Sequence, residues 1–209
     1  AYAFGDIAVE GAQRYDPVLV PRLARLPPGS LYDRDAIQRA QLRLTGSGYY
    51  DSAFLYVDPE GPADPAPVQA TVREAPLQRV VLGVGASTDA GPRLSADYIH
   101  NRVPGLGWRA VNRLQLDRRA PFVQSELTGL PDANLWRWAV SGRLERLDDG
   151  ALVTTGQRLR AGRLKSDDRF DRNVYLQYDN AQVRPRQGVA TAQDAGDGSS
   201  LTANLIWAG

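Results

Sequence analysis

The sequence predicts a small α+β domain over residues 1–76, followed by antiparallel strands of a transmembrane β-barrel over residues 77–209. The composition changes near Pro76: nine of the 14 prolines lie at or before it, and all four tryptophans lie after it. The spacing of apolar residues changes at the same place, from mixed to almost purely two-residue. About eight segments of roughly ten residues follow, which is the length of a tilted strand that crosses a bilayer.

Residues 1–76 are predicted to run strand, helix, helix, strand, strand. Phe4–Glu10 alternates as a short strand, Asp16-Pro17 starts one helix and Asp33 starts another, because Asp caps the free N–H groups of a first turn. Two later runs, 53–58 and 68–74, alternate as strands. This order is typical of a sheet with helices on one face.

Residues 77–209 alternate between apolar and polar side chains. In the clearest run, the apolar set is Trp136, Trp138, Val140, Gly142 and Leu144, and the polar set is Arg137, Ser141, Arg143 and Glu145. We expect the polar faces to line a barrel lumen with the charges Arg109, Arg113, Asp117, Arg137, Arg143 and Glu145. We expect Trp108, Trp136, Trp138 and Trp207 to form an aromatic girdle on the apolar face. A soluble sandwich with one wet face is the alternative.

The lumen charges have two interpretations. They line a conduit for a soluble protein, or they pair with Asp117 and Glu145 in salt-bridge networks that fill the barrel. Short turns at 89–91 and 148–150 and a longer connection over 184–198 predict short turns on the periplasmic side and longer loops outside.

Composition argues against several functions. A net charge of +1 does not favour nucleic-acid binding, and the absence of cysteine removes disulfides and thiolate metal sites. The one histidine, His100, ends a strand and has no nucleophile motif beside it, so we expect no enzyme, no metal and no cofactor. Gly83-Val84-Gly85 is not a phosphate loop, because a strand turn and not a helix follows it.

One segment carries a family resemblance. Leu82 to Arg93, with Gly-Val-Gly, Ser-Thr-Asp and Gly-Pro-Arg, resembles the first barrel strand and first turn of TamA-type outer-membrane assembly factors. Ser47-Gly48-Tyr49-Tyr50 is similar to the entry into the second strand of a POTRA domain, and Pro67-Val68 with Val72 to its last strand. Ala86 departs from the family, which has an aromatic residue there.

The resemblance implies a barrel of about sixteen strands, closed by weak pairing of the first strand with the last. The lateral-seam strand would be Val80, Val81, Leu82, Gly83, Val84, Gly85, Ala86 and Ser87, and the first-turn motif, a periplasmic turn, would be Thr88, Asp89, Gly91, Pro92 and Arg93. Glycine weakens a strand, so Gly83 and Gly85 fit a seam that opens; the alternative is that they relieve crowding at a bend.

The resemblance further implies that the protein helps to insert or secrete outer-membrane clients such as autotransporters, with its POTRA domain in the periplasm. Its implied partners are unfolded client proteins, a TamB-like inner-membrane-anchored protein and outer-membrane lipid, with no nucleic acid. A two-partner-secretion-type pore and a BamA-type central insertase are the alternatives. About eight strands are half of such a barrel, so alone the chain is expected to form an open half-barrel that aggregates through its edges.

Overall fold

The computed structural model describes residues 3–57, 62, 64–88, 91–166, 170–186 and 196–208. The chain divides into two compact units, Ala1–Pro76 and Leu77–Gly209. We call them unit 1 and unit 2 and describe each by itself.

Unit 1 has the strand–helix–helix–strand–strand order that the sequence predicts. Its elements are β1 (Phe4–Glu10), α1 (Leu19–Ala24), α2 (Arg34–Gly46), β2 (Tyr50–Val57) and β3 (Ala66–Glu74). The sheet order is β1-β3-β2, with β1 parallel and β2 antiparallel to β3. Neither of these helices is long and apolar enough to cross a membrane.

The two helix starts differ in how closely they match the prediction. Asp33 caps α2 as expected, and its side chain accepts a hydrogen bond from the Asp35 backbone N–H at 2.9 Å. Helix α1 begins only at Leu19, because Asp16 first closes a tighter turn. The Asp16 carboxylate accepts from the Val18 N–H and its carbonyl from the Leu19 N–H, both at 2.9 Å. A hydrogen bond between residues three apart, as from Leu19 to Asp16, belongs to a turn or a 3₁₀-helix and not to an α-helix.

A single hydrophobic cluster holds unit 1 together. Phe4, Val20, Leu44 and Val68 are fully buried where the helices pack on the sheet. Tyr50 is also buried, and its hydroxyl has no hydrogen-bond partner among the described residues. Burial therefore raises the pKa of Tyr50 above its ordinary value, since the charged phenolate would lose its hydration.

Glu74, at the end of β3, satisfies three backbone donors with one carboxylate oxygen. The N–H groups of Gln13, Arg14 and Tyr15 donate to its Oε1 at 3.0, 2.6 and 2.9 Å. These three residues form the link between β1 and α1, where the chain has left the sheet ladder. We therefore expect Glu74 to hold that link in place.

Replacing Glu74 by alanine is expected to destabilise unit 1 by about 2 kcal/mol, because charge-assisted bonds are lost and three donors lose their acceptor. Circular dichroism at 222 nm reports unit 1, which contains both helices of the described chain, whereas tryptophan fluorescence reports unit 2. Only the first signal should shift in a urea titration. Glu10→Ala, which removes an exposed carboxylate from β1, is the control. Equal shifts for both variants would contradict the role given to Glu74.

Unit 2 is one eight-stranded antiparallel sheet, as predicted. The strands are β4 (Gln78–Ser87), β5 (Gly91–His100), β6 (Arg109–Leu116), β7 (Phe122–Thr128), β8 (Arg137–Asp148), β9 (Leu152–Ser166), β10 (Asp171–Pro185) and β11 (Asp197–Ala208). Each pairs with its neighbour in sequence, from β4 at one edge to β11 at the other.

The register places apolar side chains of all eight strands on one face, which we call the apolar face. Cross-strand partners share a face, so the row Leu82, Ala96, Leu114, Val123 and Leu144 follows directly from the pairings. Large hydrophobic side chains of this face are exposed throughout, among them Val80, Val84, Leu94, Trp138, Leu159, Leu176, Leu201, Leu205 and Trp207. The opposite, polar face includes Arg113, Gln124, Arg143, Arg158 and Asp179.

The soluble-sandwich alternative is wrong for the described residues. A sandwich buries one face of each sheet against another sheet. The buried hydrophobic cluster lies wholly within unit 1, and Ala110 is the one buried hydrophobic residue in the described part of unit 2. An exposed apolar surface of this extent marks a surface for lipid or another protein.

The predicted division into short and long loops is also wrong. We call the end of the sheet where β4 begins the near end, and the end where β4 stops the far end. The short turns 88–90 and 149–151 join strands at the far end, and so does the long connection 186–196. The near end carries connections 101–108, 129–136 and 167–170. Consecutive strands are antiparallel, so every second connection lies at the same end of the sheet. The length of a loop therefore does not show to which end it belongs.

Candidate functional site: a sheet edge and two faces

Strand β4 is an edge strand with one free side. It pairs with β5 from Gln78 opposite His100 to Ser87 opposite Gly91, and no other described strand pairs with it. Leu82 and Val84, on the apolar face, are 75% and 86% exposed. The lateral-seam strand of the sequence prediction is thus one of the two edge strands of the described sheet, and β11 is the other. It presents backbone N–H and C=O groups beside apolar side chains.

The two glycines of β4 lie on the polar face and have room around them. A Cβ at Gly85 would meet nothing within 4 Å. A Cβ at Gly83 would meet only the Ser95 side chain, with the hydroxyl oxygen at 2.5 Å, and that hydroxyl can rotate away. Crowding among the described residues therefore does not require Gly85. The role of these glycines in a weak seam stays a prediction.

The first-turn motif leads into β5 at the far end. Gly91 has φ of 72°, a conformation that favours glycine, and Pro92 and Arg93 lie opposite Ala86 and Gly85. Thr88 forms part of the turn, and Asp89 lies outside the described residues. Strands β4 and β5 are paired as far as Ser87 and Gly91 at this end. A periplasmic turn here is incompatible with a periplasmic unit 1, because β4 starts at the near end and crosses the whole sheet.

Asp117, at the far end of β6, is held by a cluster of donors. Its carboxylate accepts from the backbone N–H groups of Ala120 and Arg119 at 2.5 and 2.9 Å, and from Gln115 Nε2 at 2.7 Å. Arg93 Nε lies 3.6 Å from it. These contacts hold the pKa of Asp117 below its ordinary value. The hydrogen bond from the Ala120 N–H has the largest effect, and Gln115, Arg119 and Arg93 add to it. The Asp117 carboxylate therefore stabilises the β6–β7 turn and contacts Arg93 of β5.

Arg143 and Glu145 pair on the polar face, as the salt-bridge interpretation predicts. Arg143 Nε lies 2.7 Å from Glu145 Oε2, and Arg143 NH1 donates to Gln124 Oε1 at 3.1 Å. The guanidinium carbon lies 4.0 Å from the centroid of the Phe122 ring. This side chain is held by a carboxylate, an amide and an aromatic ring together.

A second pair lies directly across from the first. Arg158 is the cross-strand partner of Arg143, and Arg158 Nε contacts Asp179 Oδ1 at 2.7 Å. Gln177 also donates to Asp179, and Gln177 accepts from Arg160 Nε at 2.6 Å. Two facing arginines are thus each balanced by their own carboxylate.

The other predicted lumen charges lie apart from one another on the polar face. Arg109 Nε donates to Asn101 Oδ1 at 3.0 Å. Arg113 stands opposite Asp97 on β5, and Arg137 stands opposite Leu164 on β9. The structure therefore brings Arg143 and Glu145 together and leaves Arg109, Arg113, Asp117 and Arg137 dispersed over the face.

The facing arginines lead to a prediction for a double-mutant cycle. Asp179→Asn leaves Arg158 without its carboxylate and opposite Arg143, so we expect a coupling energy of about 1 kcal/mol between Asp179→Asn and Arg158→Gln. It is measured from urea unfolding in detergent, followed by tryptophan fluorescence. The pair Arg184 and Asp197 is the comparison, because it is more exposed and Arg184 stands opposite Val153 instead of a second arginine. It should give a smaller coupling energy. Equal couplings would contradict a network built around the facing arginines.

All four tryptophans lie at the near end. Trp138 and Trp207 are exposed on the apolar face, 54% and 62% respectively, whereas Trp108 and Trp136 lie in the connections just before β6 and β8. The sequence interpretation expected all four to lie on the apolar face. The structure places two of them on that face and two at its rim.

The sequence interpretation did not identify three cations at the near end of the apolar face: Arg163, Lys165 and Arg172. The Arg163 guanidinium carbon lies 5.5 Å from the ring centroids of both Trp136 and Trp138, and that of Arg172 lies 4.9 Å from Trp207. Lys165 and Arg172 are cross-strand partners. The available signal was the two-residue spacing that puts Arg163 and Lys165 on the face of Leu159 and Ala161, and Arg172 on the face of Val174 and Leu176.

Asp132, in the β7–β8 connection, ties Arg163 to the near end. Arg163 NH2 contacts Asp132 Oδ2 at 2.5 Å. Partial burial acts to raise the pKa of the Asp132 carboxyl. The Trp136 and Asn134 N–H groups and Arg163 outweigh that effect and lower the pKa of the carboxyl.

Comparisons with known proteins support the fold. No family model matches the chain. Among solved structures, the chain is similar to BamA from Haemophilus ducreyi lacking POTRA domains 1–3, with a TM-score of 0.60 and 16% identity over 98% of the chain. It is also similar to CdiB from Acinetobacter baumannii, with a TM-score of 0.55 and 10% identity over 98% of the chain. The chain spans 42% of each of these proteins, and its fold is that of the corresponding part of BamA and CdiB.

Proposed function

We propose that this chain is part of a TamA-like factor that inserts or secretes β-barrel clients, such as autotransporters, at the bacterial outer membrane. Residues 1–76 would be its membrane-proximal POTRA domain, and residues 77–209 the first half of its barrel. The similarity to BamA and CdiB supports the general class. The exposed apolar face supports contact with lipid, because such a surface is unstable in water. No catalysis and no cofactor form part of the proposal.

The edge position of β4 in the described sheet is the observation that supports this function, because the proposed barrel would close by pairing this side of β4 weakly with its last strand. A client strand can pair with this side of β4 instead and extend the antiparallel sheet. Backbone groups left unpaired in hydrocarbon cost several kcal/mol each, so an open edge in a membrane strongly favours a partner strand. The energy for client insertion would then come from strand pairing and from burial of the client's apolar face in lipid.

The proposal also gives the sheet an orientation. Unit 1 precedes β4 in the chain, so a periplasmic unit 1 puts the near end and its tryptophans at the periplasmic interface. The first-turn motif then lies at the outer surface. Unit 1 would be the part that engages a TamB-like inner-membrane-anchored protein and incoming clients.

The similarity to CdiB favours a second candidate, a two-partner-secretion-type pore that passes a soluble protein through its lumen. The polar face would line that path. Its cations Arg143 and Arg158 are bound to Glu145 and Asp179, which leaves them less available to a passing chain. A BamA-type central insertase shares the edge mechanism of the leading proposal and differs from it in clients and partners.

Photo-crosslinking in the native outer membrane of the intact protein separates these functions. A photoreactive residue is placed at Val80 or Leu82 on the edge strand, at Arg113 or Ser141 on the polar face, and at Leu144 as an apolar-face control. Insertion at the edge predicts adducts with barrel precursors at the first pair only. The lumen positions and Leu144 should give none.

Two outcomes would overturn the leading proposal. Adducts with a soluble secreted protein at Arg113 and Ser141 would make the protein a pore. Precursor adducts of equal yield at Leu144 and Leu82 would show that β4 is no special site. Depletion of the TamB-like partner should lower the edge adducts in a TamA-like factor and leave them unchanged in a central insertase.

A further inference from the structure

A small polar patch interrupts the apolar face between β6 and β7. Asn112 and Ser125 are cross-strand partners there, and Ser125 Oγ donates to Asn112 Oδ1 at 2.8 Å. Asn112 Nδ2 donates to the Tyr98 carbonyl oxygen of the neighbouring strand β5 at 3.4 Å. Asn112 is half-buried and Ser125 is exposed. The two side chains therefore form one hydrogen-bonded unit that is open to whatever covers this face.

The patch lies among apolar side chains and not at either end of the strands. The next residues of the same face are Ala110 and Leu114 on β6, and Leu127 and Val123 on β7. A lipid-facing strand normally carries apolar residues at such positions. Hydrocarbon offers no hydrogen-bond partner, so a polar group exposed to it is unfavourable. A polar unit at this depth therefore favours contact with protein over contact with lipid.

The Asn112 carboxamide has hydrogen-bonding capacity beyond these two bonds. It has two N–H donors and two lone pairs on its oxygen, and its contacts with the described residues use one of each. One donor and one acceptor thus remain on the same flat group. A second carboxamide related by a two-fold axis offers the complementary acceptor and donor. Two such groups can form a pair of N–H···O=C bonds, and the bond from Ser125 holds each oxygen in position.

We propose that this patch is the centre of a contact between two copies of the protein, joined by their paired Asn112 carboxamides. All copies of a membrane protein insert with the same orientation, so this residue lies at the same depth in each copy. A two-fold axis along the membrane normal then brings the identical groups together. Polar side chains of this kind stabilise contacts between membrane-spanning segments. Leu114, Val123 and Leu127 would pack around them.

This inference rests on the proposed function, because it needs the apolar face to lie in a bilayer. Photo-crosslinking of the intact protein in its native outer membrane tests both. A photoreactive residue replaces Val123 beside the patch or Val174 on β10, two valines of the apolar face that are 44% and 46% exposed. Two copies with different affinity tags are expressed together, so a homodimer carries both tags. We expect doubly tagged adducts at Val123, and lipid adducts without them at Val174.

Variants locate the contact at the carboxamide. Asn112→Leu should raise the dissociation constant of the dimer about tenfold, the effect of two polar contacts between membrane segments. Sedimentation equilibrium of the purified intact protein in density-matched detergent measures this constant. Asn180→Leu is the matched control, because Asn180 is also a half-buried asparagine of this face but lies on β10, outside the patch. It should leave the constant unchanged.

Four outcomes would overturn the proposal. Association through apolar contact alone would be unchanged or tighter in Asn112→Leu, which is the opposite of the expected direction. Adducts of a different protein at Val123 would show that the patch binds another partner. Lipid adducts at both valines without a doubly tagged product would overturn the dimer and leave the proposed function intact. If neither valine gives a lipid adduct or a doubly tagged one, the apolar face does not lie in the bilayer, and the proposed function fails with the dimer.

Discussion

Gly162→Ala is expected to cost the sheet about 2–3 kcal/mol, near the upper end for overpacking. Gly162 lies on the polar face of β9 opposite Tyr175, and a Cβ there would overlap the Val174 carbonyl oxygen and the Cβ of Tyr175. Neither obstacle can rotate away, because one is backbone and the other is fixed to it. The β9–β10 ladder, which joins the two longest strands, must therefore shift. Urea unfolding in detergent, followed by tryptophan fluorescence, measures the loss.

Gly142→Ala is the matched control, because Gly142 lies in the neighbouring strand β8 and its added Cβ would only touch Leu159 Cδ2 at 3.4 Å. Alanine loses less conformational entropy on folding than glycine does, so this variant should be as stable as the parent protein or slightly more stable. Equal losses in the two variants would mean that any side chain at a glycine of this sheet is costly, and would remove the special role of Tyr175 over Gly162.

The alternation of the sequence predicts the faces of unit 2 well, because a two-residue period has only two phases. Once Trp138, Val140 and Leu144 are on one face, Arg143 and Glu145 must lie on the other, and the register confirms this. The helix cap at Asp33 is equally local, since the carboxylate and the N–H it accepts from are two residues apart. Both predictions depend on neighbours in sequence, and both are confirmed.

The predictions that failed depend on the number of strand crossings or on contacts that the spacing of residues along one strand does not determine. The end to which a turn belongs is set by the number of strand crossings before it, and loop length carries no record of that number. The partners of Asp117 were predicted among the arginines of its own face, but its strongest contacts are the N–H groups of its own turn. The register that puts Arg158 opposite Arg143 depends on the exact pairing of β8 with β9. A one-residue change in that register would put them on opposite faces.

Removing the glycines of β4 is expected to slow the function and leave the fold intact. Each glycine in a strand costs roughly 0.5–1 kcal/mol relative to alanine, so Gly83→Ala with Gly85→Ala should favour the paired strand by about 1–2 kcal/mol. That shift lowers the open fraction of a seam roughly 5- to 30-fold. Hydrogen exchange over residues 78–87 should slow in proportion, and the rate of client assembly in cells should fall with it.

The surroundings of these glycines make the result interpretable. Gly85→Ala meets no atom within 4 Å, so a lower assembly rate cannot come from a clash with the described residues. Ser95→Ala, added to Gly83→Ala, removes the hydroxyl that its new Cβ would approach at 2.5 Å, and should leave the effect unchanged. Gly142→Ala makes the same chemical change in β8, away from the edge, and should alter neither exchange in β4 nor assembly. If the β4 variants slow hydrogen exchange while clients assemble at the normal rate, the edge of β4 does not limit the reaction, and the pore, which needs no open seam, becomes the better account.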